Sequence, residues 1–131
     1  MGPVNYLLDT CSFLWLAQQP TMLSPTAKAI LDNPETQIFL SDVSIWEVTL
    51  KHSTGRLPLP GIPRAWIPEK IQHHQLQQIS ITHDALYTSG ELPRLHPDPF
   101  DRLLAAQALT LGLILLSPDT PLSILGAARI W

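Results

Sequence analysis

Four short, largely apolar runs, at residues 4–8, 37–40, 76–81 and 113–116, punctuate the chain, and the stretches between them read as helices. None of these runs shows the apolar–polar alternation of a half-exposed strand, so each reads as a strand covered on both faces. Strands of that kind joined through helices form parallel β-α-β units. The expected fold is therefore α/β: a three-layer α/β/α arrangement around a central, mainly parallel sheet of four to five short strands.

Local signals place the helices. Ser24-Pro25 supplies an N-cap and a proline at the first helical position, opening a helix that should stop before Pro34. Residues 13–17 look helical, and a helix over 42–53 is ended by Gly55. Pro58, Pro60, Pro63 and Pro68 predict a loop across 57–68, followed by a helix ending near His74. Thr82 caps a short helix to about Ser89, and Asp98-Pro99 opens an apolar helix that ends at Gly112. The tail, 121–131, reads as a short helix or turn and an edge strand.

The 131 residues, 45% of them hydrophobic, suit a single domain over 1–131, with no internal repeat or linker. The apolar runs fall far short of the roughly 20 residues a membrane helix needs, so no span is expected. The N-terminus lacks the basic and apolar regions of a secretory signal, and the lone Cys11 cannot form an internal disulfide. Both features fit a cytoplasmic protein.

Net charge is −3, too acidic for binding nucleic acid by bulk electrostatics. The charge is uneven, however. Residues 51–74 carry Lys51, Arg56, Arg64 and Lys70 against Glu69, a net +3, which leaves −6 on the rest. A basic middle beside acidic groups suits a polyanion gripped by its phosphates.

The acids are concentrated where chemistry would need them. Asp98 and Asp101 lie one helical turn apart at the start of the apolar helix, and Asp9, Glu47 and Asp119 each follow or lie just beyond a short apolar run. In open parallel sheets, ligands collect beyond the carboxyl ends of the strands, and all five acids can reach that edge. Singly, each has a capping explanation: Asp98 is a good N-cap, Asp101 complements the helix dipole, Asp9 and Asp119 could cap the short helices after them, and Ser44-Ile45-Trp46-Glu47 is formally a capping box. Jointly, they would repel unless protonated or bridged by a cation. Mg²⁺ or Mn²⁺ prefers carboxylate and water oxygens, whereas zinc calls for close-set His and Cys, which adjacent His73-His74 and isolated Cys11 do not supply.

Other chemistries lack their signatures. There is no Gly-rich phosphate loop and no Gly-x-Ser-x-Gly turn. A phospho-acceptor receiver domain needs a lysine at the end of a late strand, and Lys28, Lys51 and Lys70 all precede the final strand.

Four segments carry a family resemblance that spans nearly the whole chain: Tyr6-Leu7-Leu8-Asp9-Thr10 followed by Phe13-Leu14-Trp15; Ser41-Asp42-Val43-Ser44-Ile45-Trp46-Glu47-Val48 with Lys51 and Gly55-Arg56-Leu57; His96 to Ala108; and Leu116-Ser117-Pro118-Asp119. In order and spacing they resemble the PIN-domain ribonucleases, specifically the VapC-type toxins of bacterial toxin–antitoxin pairs. The resemblance implies a Mg²⁺- or Mn²⁺-dependent endoribonuclease with RNA as substrate, a cognate antitoxin as partner and homodimeric assembly. It makes Asp9, Glu47, Asp101 and Asp119 the metal-holding quartet and Asp98 an additional acid, with Thr10 and Ser41 as supporting hydroxyls. Asp101 fits the third acid better than Asp98 because paired alanines follow it on the helix.

Lys51, Arg56 and Arg102 are candidate phosphate contacts, with solvated surface charge as the competing reading. His96 reads first as structural, with donation to a phosphate or leaving group as the competing role, and Trp15 and Trp46 as core residues, with stacking on RNA bases as the competing role. The alternative function is a catalytically silent PIN-like module that binds RNA or protein, which need not keep the acids.

Overall fold

The computed structural model describes residues 4–131, so Gly2-Pro3, whose origin the sequence leaves open, lie outside the described residues. Among the described residues, β1 (Asn5–Leu8) leads into α1 (Thr10–Gln18), a short 3-10 turn at Pro20–Met22, and α2 (Pro25–Asp32). Then come β2 (Gln37–Ser41), α3 (Asp42–Ser53), α4 (Pro63–His73), β3 (Gln77–Ile79) and α5 (His83–Glu91). The chain finishes with α6 (Pro99–Leu111), β4 (Ile114–Leu116), α7 (Pro121–Ile124) and β5 (Arg129–Ile130). The five strands form one all-parallel sheet in the order β3-β2-β1-β4-β5.

Two apolar clusters sandwich the sheet. Leu7 of β1 and Leu115 of β4 pack with Leu103, Leu104, Ala105, Ala106, Leu122 and Leu125 on one face. Tyr6, Leu8 and Leu116 pack with Phe13, Ala27, Leu40, Trp66 and Ile67 on the other. Successive residues of one strand thus enter different clusters, which is why the central runs carry no polar face. The helix α3 straddles the layers, giving Val43 to the first cluster and Val48 to the second.

The local signals act as their chemistry requires. Ser24 Oγ accepts from the Ala27 amide, Thr82 Oγ1 from the Ala85 amide, and Asp98 Oδ1 from the Phe100 amide. Gly112 closes α6 in the left-handed region at φ 67°, where a side chain would be strained.

Three expectations are corrected. The loop read over 57–68 yields to α4 from Pro63 onward, with Pro68 inside the helix. The bond Pro68 forfeits would go to the carbonyl of Arg64, an exposed residue in the first turn, so the missing donor leaves no buried group stranded. The strand read over 76–81 shrinks to three residues, and Gln77 and Gln78 are exposed because β3 is an edge strand rather than a covered one. Trp46 is 51% exposed instead of in the core. The buried stripe of α3 runs through Val43, Ser44, Glu47 and Val48; Trp46 falls beside it and packs against Phe100 at 4.8 Å between ring centroids.

Candidate metal centre

The strand order reverses direction at β1, with β2 and β3 to one side and β4 and β5 to the other. Helices on either side of such a reversal leave a crevice beyond the carboxyl edge. A pocket of about 390 Å³ lies there, lined by Asp9, Thr10, Cys11, Glu47, Lys51, Asp98, Asp101, Pro118 and Asp119. All five acids singled out from the sequence therefore meet in one place, brought from four separate segments. A larger, mainly apolar groove of about 720 Å³ between α3, α4 and β3 contains none of them.

Asp9 directly follows β1 and is buried. Its Oδ1 accepts from the Ser12 amide at 2.8 Å, and its Oδ2 from the Ser117 hydroxyl at 2.6 Å. Burial is the main influence and raises its pKa above the ordinary carboxylate range; the Ser117 and Ser12 hydrogen bonds oppose that, and the charge of Asp119 adds to it.

Glu47, buried in the second turn of α3, has both oxygens engaged. Oε1 takes the Thr10 hydroxyl proton at 2.6 Å, and Oε2 meets Lys51 Nζ one turn on at 2.5 Å. Ser44 Oγ lies 3.1 Å from Thr10 Oγ1, and because that hydroxyl has one proton to give, Ser44 donates in turn to Thr10.

Asp98 spends one carboxylate oxygen on the Phe100 and Asp101 amides, capping α6. Asp101, in the first turn it caps, points Oδ2 at His96 Nε2 across 2.7 Å. Burial is the largest influence on Asp101, pushing its pKa up to about 6; the hydrogen bond from His96 opposes the shift, while Asp98 and Asp119 reinforce it. Asp119 follows β4, its amide donating to Ser117 Oγ at 3.0 Å. His96, Asp101 and Asp119 each offer a ligand atom, all within 4.8 Å of one another.

Several expected participants lie elsewhere. Ser41 is fully buried as the N-cap of α3 and donates to Gln107 Oε1, away from the pocket lining. Gln107 also donates through Nε2 to the Ser80 carbonyl, so this buried pair ties β2 to α6 rather than orienting a ligand. Arg102 turns its guanidinium onto the carbonyls of Ser89, Leu92, Pro93 and His96 at 2.7–3.1 Å. A guanidinium so occupied closes the end of α5 and is not available to a phosphate. Arg56 is exposed, bonded to Thr54, and does not line the pocket. Lys51 is the one basic residue of the three that does.

Sequence reasoning passed over three contributors, Ser12, Ser117 and Cys11. Ser12 and Ser117 act through hydrogen bonds whose partners are invisible in linear order, whereas Cys11 is betrayed only by its place beside Asp9-Thr10. Burial and then the charges of Asp9, Asp119 and Glu47 push the Cys11 thiol up to about 11, so in the metal-free protein it is held in the protonated form. His96, expected to be structural, instead touches an acid of the pocket.

The donor set fits a hard divalent cation: carboxylates from several segments, a partly open pocket, and burial that penalises their uncompensated charge. It does not fit a structural zinc site, which would need thiolates or several imidazoles.

Among curated proteins, no sequence matches the chain. Solved structures share its fold. A chain of the Rickettsia felis VapBC2 structure, bound to a promoter DNA fragment, superposes with TM-score 0.71 at 14% identity, covering 98% of this chain and 99% of that one. A chain of VapBC-1 from nontypeable Haemophilus influenzae gives 0.63 at 14% identity, covering 97% of each. VapBC-5 of Mycobacterium tuberculosis, a member of the VapBC family of toxin-antitoxin systems, gives 0.60 at 20% identity, covering 98% of this chain and 97% of that one. The PIN domain profile matches residues 6–126, from the middle of β1 to just beyond α7, and takes in every acid of the pocket. With its five-stranded parallel sheet and its acids gathered at the carboxyl edge, the chain belongs to the PIN domain family.

Proposed function

We propose that the chain is a divalent-metal-dependent endoribonuclease and serves as the toxin of a toxin–antitoxin pair. The observation that carries this reading is the convergence of Asp9, Glu47, Asp98, Asp101 and Asp119 from four segments into one pocket. Asp9 and Asp101 are the first choices as direct ligands of Mg²⁺ or Mn²⁺, with Glu47 and Asp119 completing the shell. The ion, when bound, polarises a phosphodiester oxygen and makes a bound water nucleophilic at neutral pH. The residues of the chain do the positioning: Ser12 and Ser117 fix the Asp9 carboxylate, Thr10 fixes Glu47, and the Asp98 cap aims the α6 turn that carries Asp101. Lys51, which lines the pocket and pairs with Glu47, is the proposed contact for a substrate phosphate through its remaining N–H donors.

The toxin role rests on the VapBC likenesses, and it carries with it a cytoplasmic location, a homodimeric assembly and an antitoxin partner. A basic side chain of such a partner, entering the acidic pocket, would block it. No helix is long and apolar enough to cross a membrane among the described residues.

Purified protein incubated with structured RNA and Mg²⁺ should cut it, and Asp9→Ala or chelator should abolish cutting. Cleavage indifferent to both would overturn the nuclease assignment. Expression of the wild-type gene should arrest growth where Asp101→Ala does not; equal growth would remove the toxin role alone.

A further inference from the structure

We propose that His96 is a direct nitrogen ligand of the divalent ion, so that this pocket favours Mn²⁺ and similar transition ions over Mg²⁺. The inference rests on the metal-dependent reading above and adds a donor to it. His96 Nε2 and carboxylate oxygens of Asp101 and Asp119 lie within 4.8 Å of one another, a spacing that one ion can bridge.

The remaining lone pairs point the same way. Glu47 is compensated by Lys51 and Thr10, and each Asp9 oxygen accepts one protein hydrogen bond while keeping a lone pair for a ligand. Among the described residues, the Asp119 carboxylate and Asp101 Oδ1 accept none, which leaves the unmet negative charge beside His96. The imidazole itself is held in place. Pro97 restricts the backbone after it, Arg102 donates to the His96 carbonyl at 3.1 Å, and Asp101 receives its Nε2 at 2.7 Å.

To serve as a ligand, His96 would give up the Nε2 proton it shares with Asp101, by release to solvent from the imidazolium or by transfer to Nδ1 in the neutral ring, leaving Nε2 as the free donor of the Nδ1-protonated tautomer. Mg²⁺ keeps oxygen ligands and dehydrates reluctantly, whereas imidazole suits first-row transition ions. A mixed site of one imidazole and carboxylates therefore separates the two cations by affinity.

Pulsed electron paramagnetic resonance of Mn²⁺ bound to the purified protein tests this without reference to activity. The expected result is a directly coordinated ¹⁴N coupling that changes to the ¹⁵N pattern on histidine labelling and disappears in both His96→Gln and Asp101→Asn. By calorimetry, His96→Gln should lose about tenfold or more in Mn²⁺ affinity, the scale seen when a site's supporting ligands are altered, while Mg²⁺ affinity stays within about twofold. Mn²⁺ bound without nitrogen coupling, or with coupling that survives in His96→Gln, would overturn the His96 assignment and leave the metal-dependent reading intact. Failure of the wild type to bind either cation would overturn both.

Discussion

The Ser117 hydroxyl donates to Asp9 Oδ2 across 2.6 Å, joining the residue after β4 to the residue after β1, 108 positions apart. The same oxygen accepts the Asp119 amide, so one small side chain sets both the orientation of one acid and the path of the backbone to another.

Ser117→Ala should therefore weaken both fold and site. Leaving a buried carboxylate oxygen without its donor costs about 1–3 kcal/mol, measurable as a lower urea midpoint at unchanged slope. Because that hydrogen bond holds the Asp9 pKa down against burial, its loss moves Asp9 further up, and Mn²⁺ affinity near neutral pH should fall with it.

The metal-free protein should become less stable as pH rises through the range of Asp101. Its folded pKa, about 6, exceeds the ordinary 3.8, so the folded state binds the proton more tightly than the unfolded state. The stability this group contributes is full below the unfolded value and is lost as pH rises through the folded value. Asp101→Asn should consequently stabilise the metal-free protein relative to wild type at pH 7.5 and much less at pH 4, as read by denaturation in chelator. An advantage that is equal at both pH values would mean that Asp101 is not strained by ionisation.

Asp98 and Asp101 should separate by substitution. Asn still caps a helix, so Asp98→Asn keeps α6 in place, whereas Asp98→Ala loses about 1 kcal/mol. Under the proposed function, Asp98→Asn retains more RNA cleavage than Asp101→Asn when both are assayed at saturating Mn²⁺. The reverse ranking would make Asp98 the principal ligand.

Arg102 should behave as a structural residue. Removing its guanidinium strands carbonyls at the end of α5 and in the following loop, and loss of hydrogen bonds to a charged group costs on the order of 3 kcal/mol. Lysine cannot reproduce the planar fork that reaches four carbonyls, so Arg102→Lys should recover little of the melting temperature. Under the proposed function, RNA affinity of folded Arg102→Gln protein should keep the wild-type salt dependence, and a shallower slope would restore the phosphate-contact role.

Much of this architecture is legible in linear sequence because it is dictated locally. The covered strands announce themselves as apolar runs, and Ser24-Pro25, Thr82 and Asp98-Pro99 mark helix starts through hydrogen bonds spanning two or three residues. The pocket acids are legible for a related reason: each sits just after a strand, at a helix N-cap or within the first two turns of a helix, where α/β topology gathers them. What linear order hides is long-range. The Thr10–Glu47, Asp9–Ser117 and Ser41–Gln107 contacts span 37, 108 and 66 positions, and no spacing rule connects them. Trp46 misleads because aromatic bulk ordinarily signals burial, yet its angular position on α3 places it outside the buried stripe.

The pairing of β1 with β4 also has a temporal side. The first strand leads directly into Asp9, but its neighbour on one side consists of residues 114–116, and Asp119 lies beyond that neighbour. A chain emerging from the ribosome can thus expose Asp9 and Glu47 long before the pocket exists, and no copy that stops short of Asp119 can assemble the five acids. Any activity seated there arrives all at once, with the segment that carries β4 and Asp119.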